Sequence, residues 1–386
     1  MLLVRPVMFA RDRLRQIEIL FFLAALLAAA GYQAQAQAML AAVHTGLPLL
    51  AGPYRSWVKG MSRVGTWSFD NMYSAEVCWA QMRTRKEDIP RLAKALRLPE
   101  VIETNGHVFS QLEALVTFLH RMAHPGSWES KLQFLGGRAR AAYSCAFYFV
   151  LYHIYNHFHD RITSLVDWHN MADVFADAIH TVAPACRCIG FVDGTFRTCA
   201  RPGGHNDIQR QLYSGYYKLH GLKFQTVVSP NGLIIDLFGP VLGRRGDGYM
   251  LRASNLLHRM AQLCARANQP YYIYGDPAYP LGQYILRGYK RTAACTAAQR
   301  AFSTAMSRVR ESVEWGYQLI TANWQYLDFT RTQWVRQQPI GMIYFVGALL
   351  TNIHSCLYGN IVYDFFRKTY NVPALRPPML EEYLAP

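Results

Sequence analysis

Acidic side chains are scarce in this 386-residue chain, with 25 Asp and Glu against 40 Lys and Arg, and three of them stand where α/β proteins carry chemistry. Asp193 follows the apolar run Ile189-Gly190-Phe191-Val192 and precedes Gly194-Thr195; Asp276 follows Tyr271-Tyr272-Ile273-Tyr274-Gly275 and precedes Pro277. Each run reads as a buried strand that ends in one carboxylate at its C-terminal edge. Glu314 lies in the helical stretch SRVRESVEWGY. If the two strands are neighbours, their ends lie about 5 Å apart, and the helix can bring the third acid to them. Three carboxylates form a hard oxygen set suited to Mg²⁺ or Mn²⁺. Two such ions about 3.5–4 Å apart activate a water and stabilise a leaving 3′ oxygen with no protein nucleophile. Simpler explanations stand beside this one. Asp193 and Asp276 both suit turns, and Glu314 suits a surface pair with Arg310 one helical turn earlier. The combination of all three points to a site.

The elements around these acids alternate in character. KLHGLKFQTVVSPNGLIIDLFGP reads as two strands joined at Ser229-Pro230-Asn231-Gly232, a hairpin signal. A helical stretch, GYMLRASNLLHRMAQLCARAN, leads to the strand before Asp276, and a further helix is expected from about Ala297 to Ile320. The pattern is α/β, and its order is that of a ribonuclease H-like fold, a mixed sheet flanked by helices. Upstream, from Lys86 to about His159, the chain reads as consecutive short helices. Ile89, Leu92, Ala93 and Leu96 are at helical spacing, Ser110 and Ser127 stand as caps, and Gly136-Gly137 precedes a long helix that opens on Arg138 and Arg140. That succession suits an all-α, helix-turn-helix-like DNA reader, in which Arg138 and Arg140 would contact DNA. The expected division is an apolar and basic segment over 1–60, the helical region over 61–180, a catalytic domain over 181–360 and a tail over 361–386.

A net charge of +15 with only 17% charged residues predicts a polyanionic partner, nucleic acid or an anionic membrane. The eight cysteines show no zinc-ligand spacing, which favours free thiols in a reducing compartment. Arg5, Arg11, Arg13 and Arg15 precede the apolar run Ile19 to Ala30 and the tract AQAQA. This imitates a secretory signal, although the run is shorter than the roughly 20 residues of a membrane span. A packed Ala/Leu-rich helix is the competing reading. Trp57, Trp67, Tyr73 and Trp79 suit core packing more than base stacking.

The order VDGT, YSGYYKLHGLKFQTVVSPNGLIIDLFGPVLGRRGD, YGDPAYP, VRESVEWGY and LLTNIHSCLYG resembles the catalytic domain of the DDE superfamily endonucleases of the PIF/Harbinger transposase group. The resemblance covers about residues 184–359. The helical segment before it resembles the helix-turn-helix region of that group. The resemblance implies that Asp193, Asp276 and Glu314 are catalytic and hold two Mg²⁺ or Mn²⁺ ions, and that Asp247 in GRRGDGYMLRAS is a further metal ligand. Lys218 and Lys223 become candidates for DNA-backbone contacts. It also implies phosphodiester cleavage and joining of the 3′ end to target DNA, and a nuclear location. Double-stranded DNA, a Myb-like accessory DNA-binding protein and a homo-oligomer would be the partners. This chain departs from the group at Phe196 and Gly246, where histidines are usual, and in YQLITANW, where a lysine is missing; Glu311 is an alternative to Glu314. Two other readings remain at this level: a domesticated DNA-binding protein that no longer cuts, and a membrane-anchored or exported protein suggested by residues 1–38.

Overall fold

The computed structural model describes residues 67–183, 187–204, 206–289 and 295–385. The signal-like segment 1–60 lies outside them. Among the described residues, the helices of eight or more residues before the sheet are α1 (Ala75–Met82), α2 (Asp88–Ala95), α3 (Gln111–Ala123), α4 (Arg140–Phe158) and α5 (Ala172–Val182). Ser110 caps α3 as its position predicts, its Oγ accepting the Glu113 N–H at 3.2 Å. The stretch between α2 and α3 corrects the all-α reading. Strands β1 (Val101–Thr104) and β2 (His107–Ser110) form an antiparallel hairpin with Thr104 opposite His107. Its two-residue loop is Asn105-Gly106, both at positive φ, 47° and 78°. Asn-Gly is the strongest short-range hairpin signal, because both central residues of a type I′ turn need positive φ. The neighbouring helical spacing masks it.

The sheet begins at β3 (Cys188–Thr198), followed by α6 (Asn206–Leu212), the short β4 (Tyr213–Ser214), β5 (Leu219–Val228) and β6 (Ile234–Leu242). Helices α7 (Asp247–Ala253) and α8 (Leu256–Ala267) lead to β7 (Tyr272–Gly275) and β8 (Ile285–Arg287). Across the sheet the order runs β6, β5, β3, β7, β8, with β4 added to the start of β5. The β3–β7 and β7–β8 pairs are parallel; β5 runs antiparallel to both β3 and β6. The predicted hairpin at Ser229 to Gly232 is the β5–β6 connection.

One expectation changes here. The chain does not turn away at Asp193: β3 continues to Thr198, paired with β5 from Phe191↔Val228 to Thr198↔Gly221. Its first five residues are buried and the rest only partly so. The parallel pairing with β7 stops at Val192↔Gly275. Local apolarity ends at Asp193, but the long hairpin partner keeps the backbone extended past it.

Two long helices complete the fold, α9 (Ala297–Asn323), which opens on a Thr296/Gln299 capping box, and α10 (Ile340–Tyr358). Among the described residues α10 is the one helix long and apolar enough to cross a membrane, yet 72% of that stretch is buried inside the protein. It packs on α4 and β6. Its Asn352 is fully buried and grips the start of β6: Oδ1 accepts the Ile234 N–H at 2.9 Å and Nδ2 donates to the Ile234 carbonyl at 2.8 Å. Helix α11 (Ile361–Arg367) and the four-residue helix α12 (Leu380–Tyr383) bury Val362, Phe366, Leu380 and Tyr383. The leading helices, the sheet and these C-terminal elements share one continuous apolar core.

Candidate metal centre

Because β3 and β7 are parallel neighbours paired at Val192↔Gly275, Asp193 and Asp276 come side by side one residue further on. Asp193 stays within the β3–β5 ladder and its carboxylate accepts the N–H of Gly194 at 2.8 Å. Asp276 sits in a turn, with Oδ1 accepting the Ala278 N–H at 2.9 Å. It is therefore both a strand-end acid and a turn residue. Helix α9 brings Glu314 from one side. Between the acids lies Arg310, 2.5 Å from Glu314 Oε1 and 3.8 Å from Asp193 Oδ2. The surface pair that the i, i+4 spacing allows does form, and it reaches into the site as well.

Side chains alternate along a strand, so Gly194 faces away from Asp193. A Cβ there would lie 2.7 Å from Asp247 Oδ1 and 2.8 Å from Met250 Cε. Only glycine leaves room for Asp247, the first residue of α7, to lie against β3. Lys223 Nζ is 3.7 Å from the same Asp247 oxygen, and Lys223 is cross-strand from Phe196. Asp193 with Glu314 and Asp247 with Lys223 thus flank β3 on opposite sides, and the Asp276 charge acts on both aspartates.

Burial pushes the Asp193 carboxyl up to about 6; Asp276 and Glu314 raise it further, while the Gly194 N–H and Arg310 oppose the rise. Asp247 is raised for the same first reason, opposed by Lys223 and reinforced by Asp276. Among the described residues no three His, Cys, Asp or Glu side chains stand close enough to hold a metal ion as they are placed. The charges of Asp276 and Glu314 act on Asp193, and the Arg310 guanidinium lies between Asp193 and Glu314. Asp193, Asp276 and Glu314, carboxylates without a soft ligand, are of the type that suits a hard divalent cation; Asp247 relates to them across β3 through the charge of Asp276.

The other residues singled out by sequence are dispersed. Lys218 is exposed in the β4–β5 turn at φ 55°. Arg138 has a side chain only 10% exposed, forms a two-pronged pair with Glu113 at 2.6 and 2.8 Å and covers the Phe109 ring. Arg140 is 66% exposed and pairs with Glu129. These two arginines belong to the helical layer. Glu311 is exposed on α9, Gly246 is the residue before α7, and Phe196 stacks on Tyr217. The seven cysteines among the described residues are free thiols.

Sequence reasoning missed the polar seat beneath α7. Buried Asp236 on β6 holds Arg259 by two bonds of 2.7 and 2.8 Å, and Arg259 also donates to the Ser254 carbonyl. Gln225 of β5 donates to Ser254 Oγ at 3.0 Å. These bonds tie the α7–α8 junction to the sheet and so place Asp247. The signal was a charged residue inside the apolar run Ile234-Ile235-Asp236-Leu237-Phe238, which needs a buried partner.

Residues 192–352 match the DDE superfamily endonuclease family. The match covers less than half of the chain, and it contains Asp193, Asp247, Asp276 and Glu314 and ends at Asn352. No curated protein and no solved structure matches. The sheet region is therefore similar to a class of transposase-like nucleases, and its mixed sheet flanked by helices suits an α/β nuclease domain.

Proposed function

We propose that this protein is a metal-dependent DNA endonuclease of the PIF/Harbinger transposase group, or derived from one, acting through a ribonuclease H-like domain. The observation that carries the reading is the register that sets Asp193 beside Asp276, with Glu314 reaching them from α9. The strand order, with β5 alone opposed to its neighbours, supports the fold assignment. Asp193, Asp276 and Glu314, with Asp247, would hold two Mg²⁺ or Mn²⁺ ions. When bound, such ions lower the pKa of a water and stabilise the leaving oxygen. A water oxygen forms the new bond to phosphorus and gives its proton to solvent while the bond to the 3′ oxygen breaks and that oxygen takes up a proton. The freed 3′ hydroxyl can then lose its proton and bond to a target-DNA phosphorus as that phosphorus releases its own 3′ oxygen. Arg310 exchanges its carboxylate partners for the scissile phosphate. Lys218, exposed in the β4–β5 turn, would contact a DNA phosphate, and Lys223 holds Asp247. Double-stranded DNA is the substrate, a Myb-like accessory protein and a second copy of the chain are the partners, and the nucleus is the site of action.

Purified full-length protein should nick supercoiled plasmid in Mg²⁺ or Mn²⁺ and not in EDTA. Absence of nicking with the accessory partner present would overturn the reading. The hold of Arg310 on Asp193 and Glu314 favours a second reading, a DNA-binding protein that no longer cleaves; retarded DNA without nicks would support it.

Two further outcomes are expected. Gly194→Ala pushes Asp247 off β3 by its added Cβ and should lower the cleavage rate about 100-fold, as a displacement of about 1 Å does in a pre-set site. Circular dichroism should remain unchanged. The second concerns pH. A carboxyl raised to about 6 from about 3.9 in the unfolded chain keeps its proton longer when folded. Metal-free stability therefore falls as pH rises from about 4 to about 6 and is flat above. The wild-type Tm should fall below that of Asp193→Asn by a difference that widens as pH rises across that window, and Mn²⁺ should raise the wild-type Tm at neutral pH far more than at pH below the folded value. A Tm difference independent of pH would contradict the assigned burial of Asp193.

A further inference from the structure

The tyrosines beside the acids have no role in the chemistry above, and their setting is built. Ser214 pins the β4–β5 turn: its carbonyl accepts the Lys218 N–H at 2.8 Å and its Oγ the Tyr217 N–H at 3.4 Å. The turn presents Tyr216, 87% exposed, and Tyr217, 44% exposed. Tyr217 lies flat on Phe196, with centroids 4.5 Å apart and planes 11° from parallel, and Tyr216 meets Tyr217 edge-on at 4.8 Å. Phe196 occupies space that two glycines leave open. A Cβ on Gly221 would lie 2.5 Å from its Cζ, and one on Gly243 would lie 3.0 Å from its Cε2. The stack thus rises from the sheet through Gly221 and Gly243, Phe196 and Tyr217 to Tyr216.

Its position relates it to the acids. Phe196 is three residues beyond Asp193 on β3, on the same face as Gly194, and its cross-strand partner Lys223 is the residue that pairs with Asp247. The charges of Asp247 and Asp193 both act on the Tyr217 hydroxyl. Exposed Lys218 adjoins the tyrosines. Aromatic faces next to a cation on a strongly basic chain suit a nucleotide, with the ring for the base and the ammonium for the phosphate. A protein partner would meet the same aromatic surface, but it would not account for a stack that adjoins phosphodiester chemistry. Tyr213, Tyr216, Tyr217 and Leu219 are all exposed around this turn, and contiguous exposed apolar surface is a mark of interaction sites.

Resting on the endonuclease reading, we infer that Tyr216 and Tyr217, seated on Phe196, form a stacking platform that receives an unpaired base of the DNA next to the bond to be cut. The platform stands on the Asp247 side of β3 and holds the strand open beside the acids.

The test uses full-length protein and a forked duplex carrying 2-aminopurine in its unpaired arm. Wild type should quench the fluorescence and bind the fork more tightly than a fully paired duplex. Tyr216→Ala and Tyr217→Ala should abolish the quenching and weaken fork binding about tenfold, the scale of one stacked base, with paired-duplex affinity unchanged. Tyr216→Phe and Tyr217→Phe should retain both, because stacking needs the ring and not the hydroxyl. Quenching or fork affinity unaffected in the alanine variants would overturn the platform. So would a change from dimer to monomer in Tyr216→Ala without loss of fork binding, which would assign the surface to a second copy. Quenching in a protein that never nicks DNA would keep the platform and remove the nuclease reading; nicking with no quenching would do the reverse.

Discussion

Asp193→Asn is expected to reduce metal-dependent DNA nicking by at least about 1000-fold while leaving DNA retardation within a factor of two or so. The asparagine is nearly the same size, so the β3–β5 ladder and the bond to the Gly194 N–H can persist. What it loses is charge at the point where the fields of Asp276, Glu314 and Arg310 meet. A neutral amide binds a hard divalent cation far less strongly than a carboxylate, and about 4 kcal/mol of lost transition-state stabilisation corresponds to that rate factor. The variant should be more stable than wild type in metal-free buffer at neutral pH, because burial no longer opposes an ionised side chain. Nicking at the wild-type rate would remove Asp193 from the centre. A plasmid assay beside a thermal melt gives both readings from one preparation.

Asn352→Leu is expected to cost about 3–5 kcal/mol of folding stability, a large share of the roughly 5–15 kcal/mol that holds a domain together. The volumes are similar, so no cavity opens. The loss comes from three hydrogen bonds made by one fully buried amide: the N–H and C=O of Ile234 at 2.9 and 2.8 Å, and the hydroxyl of Tyr383 at 2.8 Å. Leucine leaves all three protein groups buried without those bonds, and each costs about 1–3 kcal/mol. Urea unfolding followed by tryptophan fluorescence measures the difference. Glu381→Ala serves as the comparison: it breaks a pair with Arg91 whose carboxylate is 54% exposed and should cost no more than about 1 kcal/mol. Equal losses in the two variants would mean that Asn352 is not the clamp between α10 and β6.

Several features were legible in the sequence because they depend on near neighbours. The apolar run before Asp193, the turn residues between β5 and β6, the Ser110 cap and the period of α9 follow from backbone geometry over a few residues. The Asn105-Gly106 hairpin was equally local and was overlooked only because helical spacing surrounds it. Arg138 illustrates the opposite case. A basic residue at a helix start looks free to meet DNA, but Glu113, 25 positions earlier, holds it inside the helical layer. No window along the chain contains that pair. Asp236 and Arg259 show the same limit, since strand β6 and helix α8 must pack before either charge has a partner.

By itself the sequence determined that apolar strand runs would lead into Asp193 and Asp276 and that Glu314 would ride on a helix, because side-chain periodicity and turn chemistry are properties of short segments. The tertiary structure alone decided that β3 and β7 are neighbours in register, that Gly194 leaves room for Asp247, and that Arg310 lies between Asp193 and Glu314. Those relations depend on which surfaces bury one another, and distances across a packed sheet are set by pairing and volume rather than by separation along the chain.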